Sequence, residues 1–234
     1  MKAIFKRELN AYFDSPLGYV FVAVYYLFAG YFFFRYNLYA GSADMRDVFS
    51  MLFTVTVFLI PILTMRLMSE DRKTKTDQLL LMAPVTAAAI VLGKFFAAAV
   101  VYLTAMAITL VSGCVLSLYA APEWAVILGH FIGLFLVGCT LIAVGMLISA
   151  FTENQIIAAV GGFCVGFFLI LLDALGSLVS NSALAALLTD MSFETRYSHF
   201  TLGTFDLSDL VFFLSMTALF LYFTILAFEK RRLD

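Results

Sequence analysis

The residues of this chain that could carry out chemistry are few. His130 is the sole histidine inside a long apolar run, and its neighbours Gly129 and Phe131 are not metal ligands. Neither the His-Glu-x-x-His pattern of zinc proteases nor the Gly-x-Ser-x-Gly pattern of hydrolases occurs. We therefore expect no catalytic residue, no metal and no bound cofactor, and we predict that the chain is not an enzyme.

Two further features bear on transport and on nucleotide binding. Asp173 is the only acid well inside an apolar run, and a carboxylate at membrane depth is costly enough to be a functional candidate. It is either a pathway residue that handles substrate or protons, or a wetted residue at the outer end of a helix. Gly93-Lys94 lacks the upstream glycine and the following Ser or Thr of a phosphate-binding loop. If ATP is used, another chain binds it.

The densest polar cluster lies between Arg66 and Asp77, where seven residues are charged. It directly follows an apolar run and ends in Leu79–Leu81 and Pro84. If residues 70–82 are helical, the leucines form an apolar knob, Pro84 stops the helix and Thr86 begins the next one. Such a helix suits insertion into a groove of a cytosolic partner. The alternative, a basic loop on anionic lipid, is disfavoured by the interspersed acids.

The elements that position these residues are membrane helices. The chain is 63% hydrophobic and 13% charged, whereas a soluble domain is nearer half apolar and a quarter charged. Crossing about 30 Å of hydrocarbon takes roughly 20 helical residues. The sequence predicts an all-α polytopic protein with one transmembrane domain, residues 1–234, whose six spans are 17–36, 48–68, 90–119, 124–150, 155–175 and 209–228. The cysteines (Cys114, Cys139 and Cys164) lie in apolar runs, and we interpret them as small packing residues.

Positive charge predicts the orientation. With the N-terminus in the cytoplasm, eleven basic residues lie at the inner side and three at the outer side, which requires an even number of spans and both termini inside. The inner residues are Lys2, Lys6, Arg7, Arg66, Arg72, Lys73, Lys75, Lys94, Lys230, Arg231 and Arg232, and the outer ones are Arg35, Arg46 and Arg196.

Three shorter segments complete the prediction. Residues 1–16 form an amphipathic helix in the inner interface or, alternatively, a basic flank; Glu8 falls on the apolar side of that helix. Residues 176–208 are an outer segment whose apolar stretch 183–188 is too short to cross, which favours a re-entrant or interfacial helix. The pairs Gly129/Gly133 and Gly162/Gly166 permit close helix packing within one subunit or between two.

These motifs, in this order, resemble the ABC-2 family of ATP-binding-cassette permeases, and the gliding-motility type of bacterial permease most. The family pattern opens with Lys-Arg-Glu and aromatic-x-Ser-Pro-x-Gly-Tyr, and continues with Thr-Met-Arg, Ser-acid-acid-basic-basic, a triple leucine and a proline. The matching residues are 6–8, 13–19, 64–66, 69–73, 79–81 and 84, followed by 90–94, 154–156, 203–215 and 229–232. Residues 75–78 and Leu202 depart from the pattern, which usually has Gly-Thr-x-Glu and an arginine there.

The resemblance implies a half-transporter in the bacterial plasma membrane. Its partners would be cytosolic ABC ATPase subunits that hold ATP and Mg²⁺, a second permease copy or a sister permease, membrane lipid and an extracytoplasmic accessory component; no nucleic acid is expected. The segment between spans 2 and 3 would be a coupling helix. The residues expected to dock the ATPase are Glu70, Asp71, Arg72, Lys73, Thr76, Asp77, Gln78, Leu79, Leu80, Leu81 and Pro84, with Glu153, Asn154 and Gln155 in a second cytoplasmic turn.

Two functions follow from this sequence. The first is a permease subunit that couples ATP hydrolysis by its partner to transport, with export as the expected direction. The second is a membrane anchor or scaffold in an ATPase-driven mechanical complex without a substrate path. Spans with almost no buried charge favour an amphipathic or lipid-like cargo, and the sequence does not identify it.

Overall fold

In a computed structural model that describes residues 1–75, 85–178, 182–201 and 207–233, every regular element is a helix. Six of the helices are long and apolar enough to cross a membrane, as the sequence predicted. The elements are α1 (Lys2–Asp14), α2 (Pro16–Phe33) with a π-helical turn (Phe34–Leu38), α3 (Arg46–Thr64), α4 (Ser69–Lys73), α5 (Ala87–Leu116), α6 (Trp124–Phe151), α7 (Gln155–Leu178), α8 (Ser182–Met191), α9 (Phe193–Thr201) and α10 (Leu207–Leu233).

Local sequence explains where several helices begin. Ser15 is extended between α1 and α2, and Pro16 occupies the first turn of α2, where its missing N–H costs no hydrogen bond. Thr86 caps α5, since its hydroxyl accepts a 3.3 Å hydrogen bond from the backbone N–H of Ala89. The prediction that Thr86 begins this helix is therefore confirmed.

Helix α6 is the centre of the bundle. It packs against α3, α5, α7, α9 and α10, and about two thirds of its span (67%) is buried. Its glycines make room for large neighbours: a methyl group on Gly138 would lie 2.1 Å from the Tyr102 ring, and one on Gly133 would lie 2.8 Å from the Phe200 ring. Gly129/Gly133 and Gly162/Gly166 thus pack within this subunit, against α9 and α3.

The bundle has two chemically different ends. At the charged end lie α1, α4, the first turns of α5 and the turn between α6 and α7. The last turns of α10 reach the same end, because Phe228 clusters with Ile4, Ala87 and Ile90. At the opposite end, two short helices lie within the predicted outer segment, residues 176–208. Helix α8 covers the predicted apolar stretch 183–188, and α9 docks on the start of α6.

Candidate functional site

The most unusual feature of the charged end is a buried lysine. Lys94, in the second turn of α5, is 2% exposed. Its Nζ lies 3.1 Å from Glu8 Oε1 and 2.8 Å from Asp71 Oδ2. Glu8 comes from α1 and Asp71 from α4, so this ion triad (Glu8, Asp71 and Lys94) joins three helices. It also explains why Glu8 falls on the apolar side of α1, since that side faces α5.

Gly93 allows α1 to approach α5 at this point. A methyl group on Gly93 would lie 3.0 Å from Ile4 Cγ2 and 3.4 Å from the backbone nitrogen of Phe5. Gly93 and Lys94 therefore have a packing role and a charge-pairing role. The glycine allows α1 to pack closely on α5, and the lysine pairs with the Glu8 carboxylate of α1. Arg7 adds an outer ion pair, 2.5 Å from Glu8 and 3.9 Å from Asp71, where solvent screening leaves it little energy.

A second group of contacts ties the end of α3 to the α1–α2 junction. Arg66 makes a bidentate pair with Glu70, with N–O distances of 2.6 and 2.9 Å, and donates a 3.1 Å hydrogen bond to the Ser15 hydroxyl. The Tyr12 hydroxyl donates to the Leu63 carbonyl at 2.9 Å. Burial raises the pKa of the Tyr12 phenol well above its usual range, so it stays a neutral donor.

The start of α4 is fixed to α6 by one hydroxyl. Ser149, which is fully buried, accepts hydrogen bonds from the N–H groups of Met68 and Ser69 at 3.1 and 3.0 Å, and donates to the Met65 carbonyl at 3.2 Å. Helix starts carry N–H groups with no partner inside the helix. Ser149 satisfies two such groups, so α4 is anchored where the chain leaves α3.

The other end of α4 contacts the turn that follows α6. Arg72 donates a 3.3 Å hydrogen bond to the Ala150 carbonyl and lies 3.4 Å from the Glu153 carboxylate. Asn154 begins α7, since its Oδ1 accepts from the Ile156 N–H at 2.9 Å. The described parts of the two segments that the family resemblance assigned to ATPase docking, residues 70–73 and 153–155, therefore lie side by side.

The remaining predicted site residues have different outcomes. Lys73 is exposed at the charged end, and Gln155 lines a cavity with Arg66 and Glu70. Asp173 belongs to α7, but its side chain is outside the described part of the structure, so its pathway role stays a prediction. The docking residues Thr76, Asp77, Gln78, Leu79, Leu80, Leu81 and Pro84 also lie outside the described residues.

His130 has no catalytic neighbours in the part of the chain that the structure describes. It is fully buried, its Nδ1 lies 3.2 Å from the Tyr197 hydroxyl, and its ring stacks on Phe49 with centroids 4.9 Å apart. No group of three or more His, Cys, Asp or Glu side chains that could hold a metal occurs among the described residues. The contacts of His130 serve to hold α9 on the bundle.

Helix α9 itself was missed by sequence reasoning. Phe193, Tyr197 and Phe200 are almost fully buried, and their spacing of four and three residues places them on one helical face. Arg196 and His199 each lie 2.8 Å from the buried Asp209 carboxylate of α10. The i, i+4, i+7 aromatic pattern was the signal that could have identified this helix.

One face of α3 remains uncovered along its length. Ser50, Thr54, Phe58 and Ile62 recur at every fourth residue of α3, so each lies one turn from the next on a face about 18 Å long that winds slowly around the helix. Arg66 follows one turn later, beyond the end of α3, and none of the five is buried. Along this face the side chains change from the hydroxyls of Ser50 and Thr54, through the apolar Phe58 and Ile62, to the charged Arg66. We call this face, with the adjacent residues of α2 and α7, the α3 groove.

Three cavities lie along the α3 groove. The one nearest the charged end is about 540 Å³ and is lined mainly by apolar residues of α2 and α3, with Arg66, Glu70 and Gln155 at its edge. The middle one, also about 540 Å³, is an open depression formed by Phe58, Phe163, Cys164 and Phe167. The third, about 140 Å³, lies at the opposite end between α3, α7 and α9. The groove is thus apolar in its middle and polar at both ends.

Comparison with known proteins agrees with this architecture. The model of the ABC-2 family transporter proteins matches residues 3–233, which is nearly the whole chain. No curated protein matches the sequence.

Proposed function

This chain belongs to the ABC-2 family of transporter proteins, and we propose that it is the permease subunit that couples ATP hydrolysis by a separate ATPase to export across the bacterial plasma membrane. The six membrane-spanning helices fit a permease subunit. We also propose that it is of the gliding-motility type, on the strength of the motif order described above.

The observation that carries the coupling proposal is the ion triad. Helix α4, the described part of the proposed docking segment, is tied to α1 and α5 through Lys94 and to α6 through Ser149 and Arg72. Separating one member of a buried ion group costs on the order of 3–5 kcal/mol. A partner that displaces α4 would therefore move α1, the start of α5 and the end of α6 together with it.

The charged end is the proposed cytoplasmic end. Lys6, Arg7, Arg66, Lys73 and Lys94 are all gathered there, and cytoplasmic loops carry an excess of basic residues. Both chain ends lead to this end of the bundle, as an even number of spans requires. ATPase subunits in the cytosol would then contact residues 70–84 and 153–155.

The α3 groove is the proposed half of a substrate pathway. A second permease copy, or a sister permease, that faced α3 and α7 would convert the open groove into a channel with an apolar middle. Such a lining suits an amphipathic or lipid-like cargo, because its apolar chains would contact the aromatic middle and its polar headgroup would contact an end. An extracytoplasmic accessory component would act at the α8–α9 end.

The coupling proposal is tested by replacing Leu79–Leu81 with serines. We expect the ATPase subunits to stop co-purifying with the permease, and cargo-stimulated ATP hydrolysis to fall to the unstimulated rate, since the apolar knob would be lost. The matched control replaces Leu118 and Tyr119, which are each 80% exposed in the turn at the opposite end, and should change neither measurement. Full co-purification and stimulation in the triple-serine variant would refute the docking role.

A further inference from the structure

The smallest cavity of the α3 groove is lined by polar side chains, some of which have no hydrogen-bond partner among the residues that the structure describes. It is lined by Ser50, Phe53, Thr54, Ile170, Glu194, Tyr197 and Ser198. Its volume of about 140 Å³ is well above the roughly 10–15 Å³ that one water molecule needs. The cavity is therefore large enough for a small headgroup.

Three of these side chains are available to a ligand. Ser50, Thr54 and Glu194 are exposed, and none of them makes a hydrogen bond or ion pair with any residue that the structure describes. The apolar side of the cavity is rigid, because Phe53 and Tyr197 are buried and stack with ring centroids 5.0 Å apart. The cavity is thus lined by a rigid aromatic pair, two hydroxyls and a carboxylate, and these three polar groups have no partner among the described residues.

The local charge is negative. The nearest cation in sequence, Arg196, is engaged with the Asp209 carboxylate, the Asp190 carbonyl and the Phe212 ring on the other side of α9. Arg46, one turn before Ser50 on α3, lies 3.6 Å from Asp44. Among the described residues, no basic side chain lines the cavity, so Glu194 would attract an ammonium group and repel a phosphate or carboxylate.

We propose that this cavity binds the headgroup of the cargo and that the headgroup is a primary amine, so that the transported molecule is a cationic amphiphile. The amine would pair with Glu194 and donate hydrogen bonds to the hydroxyls of Ser50 and Thr54, which satisfies its three N–H donors. This inference rests on the proposed transport function, because it assigns the class of molecule that uses the α3 groove.

The test measures binding to the purified chain in lipid nanodiscs by native mass spectrometry. The probes are dodecylamine, dodecanol and laurate, which share one chain length and differ in headgroup charge. We expect the amine to bind at least tenfold more tightly than laurate. Glu194→Gln should remove that preference, and Thr54→Val should weaken the amine and the alcohol alike.

The control is Glu123→Gln, which changes an exposed carboxylate at the same end but outside this cavity and should leave the preference intact. An unchanged ratio of amine to laurate affinity in Glu194→Gln, or no preference in the natural sequence, would overturn the proposal. No ATPase is present in this assay. Selective binding without ATPase docking would overturn coupling alone, whereas docking without selective binding would overturn the headgroup assignment alone.

Discussion

At the scale of single residues, the proposed coupling depends on charged side chains that are buried in the bundle at a cost in free energy. Lys94 lies within an apolar helix and is stable there because two carboxylates from other helices surround its ammonium group. A buried ion group of this kind adds little net stability compared with apolar packing, but removing one member leaves an uncompensated charge. The triad is therefore better suited to fixing α1, α4 and α5 relative to one another than to holding the fold together.

Replacing Lys94 with Met should lower the free energy of unfolding by on the order of 3 kcal/mol, because Glu8 and Asp71 would lose their buried partner. The loss would be measured as a lower midpoint of thermal unfolding in detergent. Lys73→Met is the matched control, since Lys73 is exposed two residues from Asp71, and it should stay within about 0.5 kcal/mol of the natural protein.

A triple variant separates stability from coupling. When Glu8, Asp71 and Lys94 are all replaced by apolar residues of similar volume, much of the stability lost in Lys94→Met should return, because no buried charge remains. Cargo-stimulated ATP hydrolysis by the partner, which we expect to be lost in Lys94→Met, should not return in the triple variant. Equal unfolding midpoints for Lys94→Met and Lys73→Met would show that the triad is not formed.

At the scale of elements, the arrangement depends on how closely α6 can approach its neighbours. Glycine in a helix interior costs up to about 1 kcal/mol relative to alanine, so its presence needs a packing reason. At Gly138 the reason is the Tyr102 ring, whose hydroxyl also donates to the Leu134 carbonyl at 3.0 Å. At Gly30 in α2, nothing lies within 4 Å of the position that a methyl group would take.

This difference predicts opposite effects for one substitution. Gly138→Ala should destabilise the protein by about 1–3 kcal/mol, since the added methyl group would force the Tyr102 ring and α5 away from α6. Gly30→Ala should be neutral or stabilising by up to about 1 kcal/mol. Thermal unfolding of the two variants in the same detergent measures both effects, and a stable Gly138→Ala protein would contradict the close packing of α5 on α6.

At the scale of the whole molecule, the two ends of the bundle are proposed to face different compartments. The charged end holds the described part of the proposed docking segments, and the opposite end holds α8, α9 and the small polar cavity. In the proposed mechanism, coupling between these ends would pass through α3, which carries the groove along one face and leads into α4. A partner at one end could in this way change the shape of the pathway at the other.

Labelling from one side of the membrane tests this orientation. With Cys114, Cys139 and Cys164 replaced by Ala, a membrane-impermeant maleimide should label Glu194→Cys in right-side-out vesicles and Lys73→Cys only in inverted vesicles. Labelling of both positions from the same side would contradict the placement of the two ends. A reversed pattern would place the docking segment outside the cell and refute the coupling proposal.

The amino-acid sequence by itself determined the class of protein, the number of spans and most helix starts, because these depend on local properties. Apolar length identifies a span, a proline or a capping hydroxyl marks a boundary, and the motif order indicated the family. The sequence places Glu8 on the apolar side of the first helix and Lys94 inside the predicted span 90–119, so a charged residue lies in an apolar setting at both positions. Their pairing was not predicted, since they lie 86 positions apart.

Only the tertiary structure decided which of these residues meet. The ion triad needs α1, α4 and α5 to converge, and Ser149 acts only because α6 ends beside the start of α4. The hydroxyls of Ser50 and Thr54, which make no hydrogen bond to any described residue, line one cavity with Glu194 only because α9 packs beside α3. Contacts between distant segments depend on the packing of whole helices, and that packing is a property of the complete bundle.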